Sequence, residues 1–194
     1  MKLVVRILVG LLSCAAIIFG LRQMYRGIQE IAGASKPATS MELSNSISIP
    51  DHDCALRLPK DWEKRPAAQG GVMFIAPKSQ GGAANLVINS DAFAGNVDAY
   101  AEENLTEVKK VAPSLEMRDA HPQPFAIDSG ATTLRWRFRN NFQGVAAAQA
   151  MYFTEGAGGK KIVVTVTAPA AQDEEYGALF DACLRSLQVS PAKK

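Results

Sequence analysis

The densest group of side chains that could bind a metal ion is the tetrapeptide Asp51-His52-Asp53-Cys54. A zinc site needs three or four ligands that converge on one point. In a strand, Asp51 and Asp53 share one face while His52 and Cys54 share the other, so the four ligands cannot converge. Their spacing also matches none of the usual zinc patterns. The sequence therefore predicts a polar turn entering a strand, with no metal ion and no cofactor.

The usual patterns of covalent and phosphoryl-transfer catalysis are missing from the sequence. There is no G-x-S-x-G, and the S-x-x-K at residues 190–193 lies in the C-terminal tail. His52 and His121 are the only imidazoles, and His121 precedes Pro122, which favours an extended chain. Residues 156–161 lack the phosphate-loop spacing. We therefore predict no catalytic residues and expect that the protein is not an enzyme, a hydrolase with an unfamiliar site being the alternative.

Three arginines alternate with apolar residues along residues 132–139, the clearest strand of the sequence. Arg135, Arg137 and Arg139 share one face of this strand. A row of guanidinium groups could bind lipid headgroups or an acidic partner. The simpler interpretation is the solvent side of a half-covered antiparallel strand. The sequence alone leaves both interpretations open.

Cys54 and Cys183 are the two cysteines outside the N-terminal apolar segment, and core-type residues flank each of them. In an oxidising compartment such a pair could form a disulfide between the first strand and the last helix. Two separate buried thiols are the alternative. The sequence cannot decide between them, because a bridge needs Cα atoms within roughly 4.4–6.8 Å of each other.

The N-terminal segment has the composition of a membrane anchor. Residues 7–21 carry no charge, and fifteen helical residues span roughly 22 Å. With residues 3–5 the apolar stretch approaches the bilayer core of about 30 Å, provided that Arg6 extends to the headgroups. We predict a single transmembrane helix and a juxtamembrane helix over residues 1–32. A cleaved signal peptide and a lipoprotein modified at Cys14 are the alternatives.

The orientation of this anchor is predicted from its resemblance to an export signal. Basic residues flank the apolar run on both sides, so the positive-inside count is tied. A short basic region followed by an apolar region is nevertheless the order found in export signals. We therefore expect a single-pass protein of the inner (cytoplasmic) membrane with its domain in the periplasm.

The net charge of +2 is divided unevenly along the chain. Residues 1–35 carry four basic residues and one acidic residue, whereas the remaining residues have one more acid than base. A nucleic-acid-binding domain is expected to be strongly basic, so we expect no nucleic-acid partner. The expected partners are membrane lipid, through the anchor, and an unidentified protein. The 47% apolar and 21% charged composition excludes wholesale disorder.

The remainder of the chain divides into a linker, a domain and a tail. Residues 33–46 are rich in small and polar residues without an apolar period, which predicts a linker. The folded domain is then expected over residues 47–189 and a tail over 190–194.

Within this domain the apolar period is mostly two. The pattern predicts strands at residues 54–58, 72–76, 84–89 and 132–139, and a hairpin that joins 147–154 to 161–168. One helix is expected after Asn96 or Asp98, and a second after the acidic residues 173–175. These elements predict an α+β fold in which helices flank an antiparallel β-sheet.

Several landmarks also resemble a known family. Leu58-Pro59 followed by Trp62 is similar to the LPxGW opening of the DcrB-like families and of the wider PsbP-like fold, which includes a Ran-GTPase release factor. Further similar segments follow in the same order, at residues 84–88, 128–131, 149–152, 165–168 and 180–187. The resemblance covers residues 54–188, and it departs from the family at Asp61, where glycine is common.

This resemblance implies a central antiparallel sheet with flanking helices. The known roles of the family are mostly non-catalytic, as subunits, adaptors, chaperones of secreted effectors and envelope lipoproteins. It has no catalytic motif to carry over. We therefore predict a membrane-anchored, non-catalytic binding or accessory protein of the bacterial cell envelope, and the alternative is a chaperone or adaptor for a secretion-system client.

Overall fold

A computed structural model describes five stretches of the chain, residues 42–67, 70–77, 84–112, 115–142 and 145–190. Two antiparallel sheets and two helices occupy these stretches, which confirms the predicted α+β class. The predicted anchor at residues 1–32 lies outside them, as do most of the predicted linker and the last four residues. Within the described stretches, no helix has both the length and the apolar character needed to cross a membrane.

The smaller sheet contains the first and last strands of the described chain. Its strands are β1 (Leu43–Ile49), β2 (Cys54–Pro59) and β11 (Gln188–Val189), with β2 in the centre. Strand β1 begins inside residues 33–46, so the end of the expected linker is a strand instead. Three consecutive polar residues, 44–46, interrupt its apolar alternation, so the sequence does not predict a strand there. The segment is a strand because it pairs with β2.

The larger sheet contains eight strands in the described part of the chain. In chain order they are β3 (Glu63–Pro66), β4 (Val72–Ile75), β5 (Asn85–Ala92), β6 (Glu116–Met117), β7 (Gln123–Pro124), β8 (Thr133–Phe142), β9 (Val145–Glu155) and β10 (Lys160–Pro169). Their order in the sheet is β3-β4-β5-β10-β9-β8-β6, and β7 also pairs with β8. The expected hairpin is confirmed as β9 and β10. Strand β3 was not predicted from the sequence, because its four residues are all exposed and show no alternation.

Helix α1 (Val97–Val111) covers one face of the larger sheet. Asn96 caps it, because its side-chain oxygen accepts a hydrogen bond from the N–H of Ala99 at 2.9 Å. The apolar residues of β8 lie on this face, where Trp136 packs among residues of α1 and β9.

Helix α2 (Asp173–Arg185) and the smaller sheet cover the opposite face. The helix buries Tyr176, Phe180, Cys183 and Leu184 in this second core. Since side chains alternate along β8, its three arginines must lie on the same side of the sheet as α2. The fold therefore turns the arginines of this strand toward α2, although Arg137 and Arg139 remain partly exposed to solvent.

Candidate binding cleft

A cleft of about 250 Å³ lies between α2 and strands β8 to β10. Its floor contains small and branched apolar residues of β9 and β10, including Ala148, Ala150 and Val166. On one side α2 contributes Gly177 and Ala178 together with three acidic residues, Asp173, Glu174 and Asp181. The opposite side is formed by arginines: Arg118, Arg135 and Arg137. The cleft therefore has an apolar floor between polar walls.

The register of β8 and β9 explains where the cleft opens. Arg135 lies opposite Tyr152, whereas Arg137 and Arg139 lie opposite Ala150 and Ala148. Tyr152 is buried in the core and its ring contacts Phe125 at a centroid distance of 5.0 Å. Ala150 and Ala148 occupy the next two positions on this face of β9, and their methyl groups are too small to fill the space that the tyrosine ring fills at position 152. The step from tyrosine to alanine therefore creates the depth of the cleft.

Gly177 contributes to this space from the helix side. A Cβ atom added there would meet no heavy atom within 4 Å, so close packing does not require glycine. Glycine inside a helix destabilises it by roughly 0.5–1 kcal/mol relative to alanine. Neither the described packing nor the helical backbone accounts for glycine here, and its effect is to widen the cleft.

The arginines of β8 are each paired with a carboxylate of the chain itself. Arg135 contacts Asp181 of α2 at 2.7 Å, and Arg139 lies 3.5 Å from Asp173 at the start of the same helix. Asp173 also pairs with Arg118 at 2.6 Å. These contacts link the helix to the sheet edge. The expected row of arginines is therefore a set of ion pairs and not a bare cationic surface, while an anionic partner for it stays a prediction.

Arg137 has the most completely bonded partner. Its Nε and Nη2 donate to the two carboxylate oxygens of Asp119 at 3.0 and 2.9 Å, and its backbone N–H donates to the same carboxylate at 3.0 Å. The Asp119 side chain is only 8% exposed. Burial by itself would raise the pKa of Asp119, but the hydrogen bonds and charge of Arg137 outweigh it and hold the pKa below its ordinary value.

Tyr152 contributes a hydroxyl group to the lining of the cleft. It donates to Asp181 Oδ1 at 2.5 Å, while Oδ2 of the same carboxylate accepts from Arg135. Burial raises the pKa of Tyr152, and the negative charge of Asp181 raises it further. The hydroxyl therefore stays protonated at neutral pH, and this group holds a proton in place rather than offering a nucleophile.

The tetrapeptide that could have bound a metal ion is dispersed by the fold. His52 is buried, with Nδ1 2.9 Å from Ser90 Oγ, and burial lowers its pKa. Asp53 adopts a left-handed conformation and pairs with Lys160 at 2.8 Å, whereas Cys54 lies in the core. Within the described ranges, no three His, Cys, Asp or Glu side chains are placed to hold one metal ion. The other histidine, His121, is exposed and lies outside the cleft.

The two cysteines of the domain are free thiols in the structure. Cys54 of β2 and Cys183 of α2 belong to the same apolar cluster and are almost fully buried. Burial raises the pKa of each thiol to about 12. In the structure the two cysteines are small apolar core residues, and the disulfide considered from the sequence stays a prediction.

Comparison with known proteins identifies the fold. No known protein family and no curated protein matches the sequence. Among solved structures, cyanobacterial PsbP (CyanoP) of Synechocystis sp. PCC 6803 is 14% identical with a TM-score of 0.58, covering 81% of this chain and 98% of CyanoP. The domain therefore has a PsbP-like fold, which confirms that part of the resemblance seen in the sequence. A specific likeness to the DcrB-like families is not shown.

Two further structures share the fold but come from different settings. The Ran-binding protein Mog1p of Saccharomyces cerevisiae is 7% identical with a TM-score of 0.56, covering 78% of this chain and 97% of Mog1p. LpqN of Mycobacterium tuberculosis, which is involved in cell envelope biogenesis, is 11% identical with a TM-score of 0.54, covering 79% and 93%. At such identities the likeness establishes the fold alone, because one fold hosts many functions.

Sequence reasoning found one wall of the cleft and missed the other. It identified Arg135, Arg137 and Arg139 from their alternation along the strand. It missed Asp119, Asp173 and Asp181 as their partners, since these residues are separated from the arginines by 18 to 46 positions. One feature of the sequence could have pointed to the helix wall of the cleft, namely Gly177, a glycine within an otherwise regular helical pattern.

Replacement of Asp119 tests the buried ion pair. We expect Asp119→Ala to lower the free energy of unfolding by about 1–3 kcal/mol, because the backbone N–H of Arg137 loses its acceptor. Urea denaturation followed by tryptophan fluorescence measures the change. Glu63→Ala is the control, since it removes a pair with Arg65 whose side chains are both more than half exposed, and it should have little effect. Equal effects of the two substitutions would contradict the assignment.

Thiol titration tests the state of the cysteines. In a Cys14→Ser protein purified without reductant, we expect no reaction of Cys54 or Cys183 with Ellman's reagent in the native state. Both thiols are buried and have raised pKa values, and the thiolate is the reactive form. In guanidinium chloride two thiols should react. If none reacts there until a reductant is added, the cysteines form a disulfide and the assignment is wrong.

Proposed function

We propose that this protein is a non-catalytic binding or accessory module of the bacterial cell envelope, held at the inner membrane by residues 1–32. The observation that carries the proposal is the open cleft between α2 and the larger sheet. Its three arginines are held by internal ion pairs, and its floor is apolar. Such a cleft is suited to recognising part of another molecule.

The chemistry of the cleft supports binding rather than catalysis. Tyr152 is the hydroxyl group lining it, and its raised pKa makes it a poor nucleophile at neutral pH. Asp181 accepts hydrogen bonds from both Tyr152 and Arg135, so it is a poor general base. The histidines and domain cysteines of the described chain do not line the cleft. The residues that line the cleft therefore do not include a nucleophile paired with a general base, which acyl transfer requires.

The likeness to other proteins is compatible with a binding role. Mog1p is a Ran-binding protein, and LpqN is involved in cell envelope biogenesis. Neither activity transfers to this chain through fold alone. Together with the cleft, however, they support a protein partner as the first class of ligand to test.

The envelope location rests on the N-terminal sequence. Residues 7–21 are uncharged and follow Lys2 and Arg6, in the order found in export signals. In the sequence this uncharged segment ends at residue 21, and the first strand of the described domain, β1, begins at Leu43. We place the anchor in the inner membrane and the domain in the periplasm.

A chaperone or adaptor for a secretion-system client is the second candidate. The apolar floor of the cleft favours it, because clients expose apolar segments before they fold. A chaperone would bind its client transiently and release it, whereas an accessory subunit would remain in a stable envelope complex. Pulse-chase analysis of the captured partner would separate these two roles.

Reporter fusions test the location. Alkaline phosphatase fused after Ser40 should be active and should resist carbonate extraction from the membrane fraction, because the proposed anchor exports whatever follows it. A green fluorescent protein fusion at the same residue is the matched control and should be dark. A fluorescent reporter with inactive phosphatase would place the domain in the cytoplasm and overturn the envelope assignment.

Site-specific photo-crosslinking tests the binding role. A benzoylphenylalanine at Glu174, which lines the cleft and is exposed, should give a discrete protein adduct in intact cells. The same residue at Glu103, which is exposed on α1 on the opposite face of the sheet, should not give that adduct. Identical adducts from both positions, or none from Glu174, would contradict a partner in the cleft.

A further inference from the structure

We propose that the cleft accepts an uncharged, extended peptide segment of a partner protein, anchored by one bulky apolar side chain such as leucine or phenylalanine. This inference rests on the proposed binding function and specifies the chemistry of the partner. It follows from the depth of the floor, the balance of charge on the walls and the small residues of α2.

The floor selects a protruding side chain rather than a flat surface. Ala148 and Ala150 are only 7% and 8% exposed although they line an open cleft, so they lie at its bottom. A planar partner surface would bridge the rim without reaching them. A volume of about 250 Å³ exceeds the roughly 150 Å³ of an apolar cavity that accepts benzene. One large apolar side chain fits such a space.

The walls select an occupant without net charge. Three lining arginines face three lining acids, Asp173, Glu174 and Asp181, and the arginines are already paired within the chain. A strongly anionic or cationic segment would meet like charges on one wall and would have to displace an ion pair on the other. A neutral segment avoids both penalties.

The same walls complement a peptide backbone. The Arg137 side chain is nearly half exposed, so the sheet side offers hydrogen-bond donors. Glu174 is exposed on the helix side and offers acceptors. An extended peptide carries carbonyl acceptors and N–H donors along its length, whereas an acyl chain carries neither. This complementarity favours a peptide over a lipid.

The small residues of α2 leave room for that backbone. Gly177 has open space where a side chain would stand, and Ala178 is exposed beside it. Larger residues at these two positions would bring the helix wall closer to the arginines. Glycine at position 177 lowers the intrinsic stability of the helix, but it keeps the cleft wide enough for a peptide chain to lie in it.

A binding measurement with defined peptides tests the inference. Fluorescein-labelled nonapeptides of glycine and serine, each with one central guest residue, are titrated with the purified full chain and followed by fluorescence anisotropy. We expect leucine and phenylalanine guests to bind about tenfold or more tightly than an alanine guest, because they bury a large apolar side chain. Aspartate and lysine guests should bind no better than alanine.

Two tryptophan substitutions on the same helix provide the matched variants. Ala178→Trp fills the cleft and should weaken binding of the leucine peptide by about tenfold or more. Ala182→Trp, one turn further along the exposed side and outside the cleft lining, should leave binding unchanged. If Ala178→Trp fails to fold, Gly177→Met occupies the same open space with a flexible side chain and should give the same loss.

Three results of these titrations would overturn the inference. They are equal affinity for leucine and alanine guests, equal or tighter binding of a charged guest, and equal effects of the two tryptophan substitutions. Displacement of the leucine peptide by decanoate at lower concentration than by unlabelled peptide would also overturn it, because the occupant would then be an acyl chain. Peptide binding as expected without a crosslinked partner in cells would contradict the proposed function and leave this inference intact.

Discussion

The position of α2 over the arginine-bearing face of β8 is the constraint on which the cleft depends. The middle and end of the helix are anchored by apolar packing, through residues such as Phe180 and Leu184. Its start meets the sheet edge through ion pairs, Arg139 with Asp173 and Arg118 with the same carboxylate. Long guanidinium side chains span a distance that packed apolar residues would close. The helix is therefore tied to the sheet by ion pairs at its start and by apolar packing from Phe180 onward, and the gap lies between these two attachments.

The energetic role of these ion pairs differs with their burial. Exposed ion pairs contribute little to stability, typically about 0–1 kcal/mol, so the pairs along the rim chiefly fix the helix position. Asp119 is different because it is buried and accepts three hydrogen bonds from Arg137. It orients one guanidinium group at the cleft wall and holds the segment after β6 against β8. Asp119 thus holds Arg137 in place independently of α2, whereas the position of Arg135 depends on its ion pair with Asp181 of α2.

Local sequence patterns predicted the strands with a clear apolar alternation. β2 and β8 could be located because buried and exposed side chains alternate along them, and α1 could be located from its cap at Asn96. The start of β1 could not be predicted, since consecutive polar residues near its beginning resemble a linker. Strand β3 was missed because all of its residues are exposed.

The cleft itself was beyond sequence reasoning for a different reason. Alternation places three arginines on one face of β8, but it does not say what covers that face. The carboxylates that pair with Arg135 and Arg139 belong to a helix that the chain forms more than thirty residues later. The depth of the cleft depends on the register that sets Arg137 opposite Ala150. Such pairings arise from tertiary structure and leave no local periodicity.

The PsbP-like fold supplies the scaffold, and the features that support binding lie in one region of it. The face of the larger sheet that is turned toward α2 carries arginines on β8 and alanines on β9, and α2 carries a glycine opposite them. Together these residues replace apolar packing with a recess that has polar walls. The proposed binding role rests on this recess, whereas the buried His52 and the two domain cysteines lie outside it.

Hydrogen–deuterium exchange of the full chain, with and without the leucine-guest peptide, shows directly whether a peptide occupies the cleft. We expect slower exchange in the first two turns of α2 and in the segment around Arg118, with no change in α1. These segments form the walls of the cleft, whereas α1 lies on the opposite face of the sheet. Protection confined to α1 or to the outer strands β1 and β3, with none at the cleft walls, would contradict that expectation.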